Sequence, residues 1–166
     1  MKTLVLMRHS KAEPYSELSD HMRPLAQRGR RQSRAFGEEL SEAAGPFDVA
    51  LVSSALRTTQ TYKLLAGDLP GYPAPLVEDE LYEATTRSLL ERLRRLDESA
   101  QKVIVVGHEP VMSSLAHLLD DQRGDVGAKI ALGIPTAAAV VVDVPGAWAE
   151  LDRQSASVRG LLRPEE

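Results

Sequence analysis

Short, uninterrupted apolar runs alternate along the chain with longer stretches in which apolar residues return every three or four positions. The runs cover residues 3–7, 48–52, 102–106 and 137–144. Each is too short for a globular helix. Their apolar character is continuous rather than alternating, as in strands buried on both faces. Between them, Leu25, Gly29, Phe36, Leu40 and Ala43 line one stripe of a helix over residues 25–43, which Gly45-Pro46 ends. A second helix follows Ser53 and Ser54, two residues suited to cap it, and runs to Gly67. The three prolines of residues 70–75 make a connection, and a short edge strand falls within residues 75–81.

Further on, Ser88 to Glu91 has the spacing of a capping box, and Leu89, Leu93 and Leu96 form the buried face of the helix it opens. Pro110 suits the first turn of another helix, with Met112, Leu115, Ala116 and Leu119 inward. Residues 121–127 read as a polar turn region. Residues 147–152 are expected to pair with the last apolar run across Pro145-Gly146. Strands alternating with helices predict an α/β fold with a mainly parallel sheet covered on both faces, over a single domain of residues 1–166.

Composition changes this picture little. The chain has 166 residues, 43% hydrophobic and 27% charged, which suits a soluble globular domain. A net charge of -4 gives no footprint for nucleic acid, and the arginine clusters lie on helix patterns mixed with acids. There is no cysteine, hence no disulfide framework and no thiolate metal site. No His/Asp set has a recognisable metal-ligand spacing. No run approaches membrane-spanning length, and the first apolar run is shorter than a signal-peptide core. A cytoplasmic monomer is the expectation.

The chemistry lies at the strand ends. The first run stops at Arg8-His9, the second at Ser53-Ser54 with Arg57 one turn on, and the third at Gly107-His108. In parallel strands these ends share one edge of the sheet, where open α/β sheets bind ligands. Two guanidinium forks suit phosphoryl oxygens, the helix N-termini add N–H groups, and a neutral imidazole among them is a nucleophile for phosphorus.

Met7-Arg8-His9-Ser10, Ser53-Ser54-Ala55-Leu56-Arg57-Thr58-Thr59-Gln60-Thr61 and Val106-Gly107-His108-Glu109-Pro110 together resemble the histidine phosphatase superfamily, the phosphoglycerate mutase-like group. The short length, Arg23-Pro24-Leu25 with Gly29, and Leu81-Tyr82-Glu83-Ala84 resemble its small phosphohistidine phosphatase (SixA-type) branch. The resemblance implies a three-layer α/β/α sandwich, no metal or other cofactor, and His9 as a nucleophile that becomes transiently phosphorylated. By the same resemblance Arg8, Arg57 and His108 complete the phosphate pocket, and Arg23 is then either a residue of its rim or a surface residue at a helix entry. It places an acidic residue in the region of Glu83, which is then either the general acid or an exposed carboxylate before a helix. Glu109 is a second acid candidate or a partner of the next helix N-terminus.

Two departures from the pattern matter. Ser10 stands where glycine is usual; if the backbone there needs positive φ, serine costs about 1 kcal/mol or more. No large insertion separates Arg57 from His108, so the pocket is expected to be open to a side chain carried on another protein. The implied substrate is a phosphorylated partner protein, such as a histidine phosphotransfer domain. The alternatives are a small phosphorylated metabolite and a non-catalytic phosphate-binding module.

Overall fold

A computed structural model describes residues 1–15 and 17–165. Strands β1 (Lys2–Arg8), β2 (Val49–Ser53), β3 (Leu76–Glu78), β4 (Lys102–Gly107), β5 (Ala139–Val144) and β6 (Ser157–Leu162) form one sheet in the order β3-β2-β4-β1-β5-β6. The first four are mutually parallel, β5 is antiparallel to β1, and β6 is antiparallel to β5. Because side chains alternate along a strand, each central strand feeds two cores. Val5, Met7, Val52, Ile104 and Val106 pack with Phe36 and Leu40 of α1 (Gln27–Ala44) and with Tyr62 and Leu65 of α2 (Leu56–Ala66). Leu4, Leu6, Leu51, Val103 and Val105 pack on the other side, with Leu89 and Leu93 of α4 (Thr86–Arg94) and Met112 and Leu115 of α5 (Val111–Leu119). A one-turn helix, α3 (Asp79–Tyr82), precedes α4, and α6 (Val126–Ile130) follows α5. The result is the mainly parallel α/β/α sandwich that the runs predict.

Several local expectations are corrected. Helix α1 starts at Gln27, because Leu25 pairs in a bridge with Ala12; its stripe ends on buried Ala44, with Ala43 exposed. Two polar residues, Gln32 and Ser33, sit in that stripe because they face the loop after β1. The capping box is Thr85 with Ser88, one turn earlier than the Ser88-to-Glu91 spacing suggests. Neither Ser53 nor Ser54 is the N-cap of α2; Ala55 is, without a side-chain bond. The turn region after residue 121 contains α6.

The last correction is topological. Residues 147–152 do not pair with β5. Trp148–Glu150 forms a 3₁₀ turn with Trp148 fully buried, and Glu98 accepts from the Trp148 and Ala149 amides at 2.9 and 3.0 Å. The antiparallel partner is β6, with a register shift between Val141 and Val142.

Candidate active site

The parallel β1, β2 and β4 deliver Arg8-His9, the start of α2 and Gly107-His108 to one edge of the sheet. His9 is buried, and its Nδ1 lies 2.7 Å from the Ser10 carbonyl. A carbonyl only accepts, so Nδ1 carries the proton and Nε2 keeps its lone pair. Ser10 is itself held twice. Its amide donates to Thr61 Oγ1 at 3.0 Å, and its hydroxyl meets Ser33 Oγ at 2.7 Å. The Ser33 proton goes to the Gly29 carbonyl at 3.0 Å, so Ser10 is the donor of that pair. Ser10 has no positive φ, so the strain expected of serine at this position does not arise.

Gly29 lets α1 reach this loop. A Cβ there would lie 2.0 Å from the Lys11 carbonyl oxygen, which also accepts from the Ala26 amide at 2.9 Å.

His108 has the opposite tautomer. The Arg57 Nη2 donates to its Nδ1 at 3.4 Å, which leaves Nε2 protonated and donating to Ser53 Oγ at 2.7 Å. Ser53 thus serves His108 rather than capping α2. The His9 and His108 rings are 5.5 Å apart between centroids. Burial is the main force on both: it pushes the His9 pKa down to about 4, against the Ser10 bond, with Arg57 and Arg8 adding to the fall. It pushes His108 down to about 3, with Arg57 next in weight. Both rings are neutral at pH 7, the form in which an imidazole can act as a nucleophile.

The arginines are anchored by backbone and carboxylate groups. Arg8 Nη1 donates to the Ile134 carbonyl at 3.0 Å. Arg57 is almost fully buried; its Nη1 donates to the Asp20 carbonyl at 2.8 Å and its Nη2 to Asp20 Oδ2 at 3.1 Å. The Nε atoms of Arg8 and Arg57 are buried donors with no acceptor among the described residues. Two such donors beside a neutral imidazole match the oxygens of a phosphoryl group, and each is costly to leave unpaired.

Asp20 belongs to the site although its sequence context carries no signal for it. It lies on a 3₁₀ turn, Asp20–Met22, and besides Arg57 it accepts from Tyr82 Oη at 2.7 Å and from Arg23 Nε at 3.0 Å. The Tyr82 bond, then Arg57, hold its pKa down to about 2, while the same bond raises that of Tyr82. The Tyr82 ring stands edge-on to His108 and His21, at 5.7 and 4.7 Å between centroids. His21 Nε2 pairs with Ser54 Oγ at 3.0 Å. Arg23 also reaches the Glu13 carbonyl at 3.1 Å, and its charge bears on both His9 and His108.

The two acid candidates have other places. Glu83 follows α3 with an exposed side chain that makes no hydrogen bond or ion pair among the described residues; its neighbour Tyr82 is the one that faces the site. Glu109 accepts from the Ser113 amide and hydroxyl at 2.8 and 2.7 Å and from the Ile134 amide at 2.9 Å. It caps the first turn of α5 and holds the segment whose Ile134 carbonyl receives Arg8. Among the described residues no three of His, Cys, Asp and Glu converge as a metal-ligand set.

The comparisons agree with this geometry. The chain is 33% identical over 161 residues to the uncharacterized protein Rv1276c of Mycobacterium tuberculosis, covering 95% of this chain and 99% of that one. A Nakamurella multipartitia structure proposed to be the phosphohistidine phosphatase SixA superposes with a TM-score of 0.85 at 29% identity, covering 98% of this chain and 96% of that one. The protein histidine phosphatase SixA in complex with tungstate shares the fold, with a TM-score of 0.80 at 23% identity and coverage of 98% and 97%. The sequence model of the Histidine phosphatase superfamily (branch 1) matches residues 4–92, the part that carries Arg8, His9 and Arg57. With a buried neutral histidine between two arginines at the end of β1, and that match over half its length, the chain belongs to the histidine phosphatase superfamily, in its SixA-type branch, and is a phosphatase.

Proposed function

We propose that this phosphatase removes the phosphoryl group from phosphohistidine in a partner protein, with His9 as the nucleophile. In the first step His9 Nε2 bonds to phosphorus as the bond to the substrate nitrogen breaks, and that electron pair leaves with the imidazole, which takes up a proton. Arg8 and Arg57 balance the charge on the equatorial oxygens, and neutral His108 lies alongside. In the second step water attacks the phosphorylated His9, phosphate departs, and His9 regains its lone pair.

The observation that carries this reading is the placement of the three nearby acids. Glu83 is outside the ring of contacts, Glu109 is held by three donors, and Asp20 stays a carboxylate. None of them is poised to protonate an alkoxide. An imidazole, with an ordinary pKa near 6.5, is a far better leaving group and needs no dedicated acid. The likeness to SixA structures supports the same substrate class.

The test is phosphate release from a phosphohistidine-bearing protein and from an aryl phosphate, side by side. His9→Ala should lose turnover of the first by roughly 10⁴-fold while remaining folded. Glu83→Gln should leave it within about twofold. Efficient release from the ester alone, with Glu83→Gln inactive, would move the assignment to a small phosphorylated metabolite.

A further inference from the structure

The pocket lies where β1 and β4 end, and two chain segments border it. On one flank the turn Asp20–Met22 packs on α2, and Asp20 takes Arg57. On the other flank the segment before β5 lies against β1. There the Ala138 carbonyl accepts from the Arg8 amide, and the His9 carbonyl from the Ala137 amide, both at 3.0 Å. In the sheet, β4 separates β1 from β2, whereas β5 is on the far side of β1. The two segments therefore stand on opposite sides of His9.

Both segments, and the residues that lead into the first of them, carry large apolar side chains in water. Tyr15, Leu18 and Met22 are 74%, 76% and 41% exposed, and Leu132, two residues before the Ile134 that holds Arg8, is 102% exposed. Among the described residues only three other large apolar side chains are exposed: Met1 at the terminus, and Leu76 and Val77 on the edge strand β3. Single exposed apolar residues are ordinary, but four of them on or leading into the two segments that border one polar pocket mark a contact surface.

We propose that Tyr15, Leu18, Met22 and Leu132 form a docking rim for the phosphohistidine-bearing protein, which presents apolar side chains on both sides of its phosphorylated residue. This deepens the reading above and rests on it. The occupant follows from the layout. The charged pocket holds the phosphoryl group, and only a surface wider than one small molecule meets both flanks at once. A second copy of this chain seated there would cover His9. Burial of the rim then supplies affinity that the arginines alone, which any phosphate satisfies, do not discriminate.

The experiment compares a phosphohistidine-bearing phosphotransfer protein with the free amino acid phosphohistidine, for the wild type and the triple variant Tyr15→Ser, Met22→Ser, Leu132→Ser. The double variant Leu76→Ser, Val77→Ser, on the remote strand, is the control for general loss of apolar surface. All are checked for an unchanged circular dichroism spectrum. The expected result is a fall of about tenfold or more in kcat/KM on the protein, carried by KM, with turnover of free phosphohistidine within about twofold and the control unaffected. An equal loss on both substrates, no loss on either, or a wild-type dimer that dissociates in the triple variant overturns the docking rim. A wild type that releases phosphate only from an aryl ester overturns the phosphohistidine reading itself.

Discussion

Asp20 is the residue on which the site's geometry turns. It joins three residues: its carbonyl and carboxylate take Arg57, and the carboxylate also takes Tyr82 and Arg23. Its side chain is about half exposed whereas Arg57 is buried, so the acid holds the guanidinium from the solvent side and leaves Nε without an acceptor among the described residues. An asparagine keeps the backbone contact and one accepting oxygen, but loses the charge that gathers three donors. Asp20→Asn should lower kcat/KM for phosphoryl transfer by about tenfold, and Tyr82→Phe, which removes one of those donors, by a smaller factor. Steady-state kinetics with thermal melts checks this. Full activity in both variants would make the cluster a surface ornament. Ser10 is a different kind of adaptation. Its hydroxyl is taken up by Ser33, which occupies a stripe position where an apolar residue would ordinarily face inward, so a side chain fits where glycine is usual.

Among the elements, α1 does more than cover the sheet. Its first turn meets the loop after His9 at Gly29, where a Cβ would lie 2.0 Å from backbone oxygen. The two segments are tied together by the Ala26 amide to the Lys11 carbonyl and by the Ser10 and Ser33 hydroxyls, so neither yields cheaply. Gly29→Ala should destabilise the fold by about 2 kcal/mol through overpacking and shift Tm down by roughly 5 °C. It should also lower kcat, because the displaced loop carries the carbonyl that sets the His9 tautomer. A melt combined with a kcat measurement tests both parts; an unchanged Tm would show that α1 shifts freely. The segment before β5 has a parallel task. Glu109 ties it to α5, and through Ile134 it anchors Arg8.

For the whole molecule, burying two histidines among arginines ties stability to pH. In the unfolded chain both titrate near 6.5; in the fold His9 resists protonation down to about 4 and His108 down to about 3. Between those values the unfolded state binds more protons, so stability rises with pH. It is complete above about pH 7 and is progressively lost as pH falls toward 4. Tm should therefore be roughly 5 °C or more lower at pH 5 than at pH 7.5, and the double variant His9→Gln, His108→Gln should show a smaller difference. An equal drop in the variant would assign the acid sensitivity to other groups.

The parts of this protein that the sequence alone determined are those with a local physical signature. Continuous apolar runs mark strands covered on both faces, and the basic residues that terminate them are neighbours in the chain, so Arg8, His9, Arg57 and His108 could be gathered to one sheet edge by parallel pairing alone. What the tertiary structure decided lies in loops and at the chain's end. Asp20 meets Arg57 across 37 positions and Tyr82 across 62, and no periodicity marks a polar loop residue for such a meeting. The hydroxyls of Ser53 and Ser54, which look like helix caps, pair instead with the imidazoles of His108 and His21. Glu98, about 50 residues away, turned the expected final hairpin into a 3₁₀ turn and left the strand role to residues with weaker alternation. In each case a hydrogen bond between distant residues outweighed local preference, because buried polar groups must find partners wherever the fold brings them.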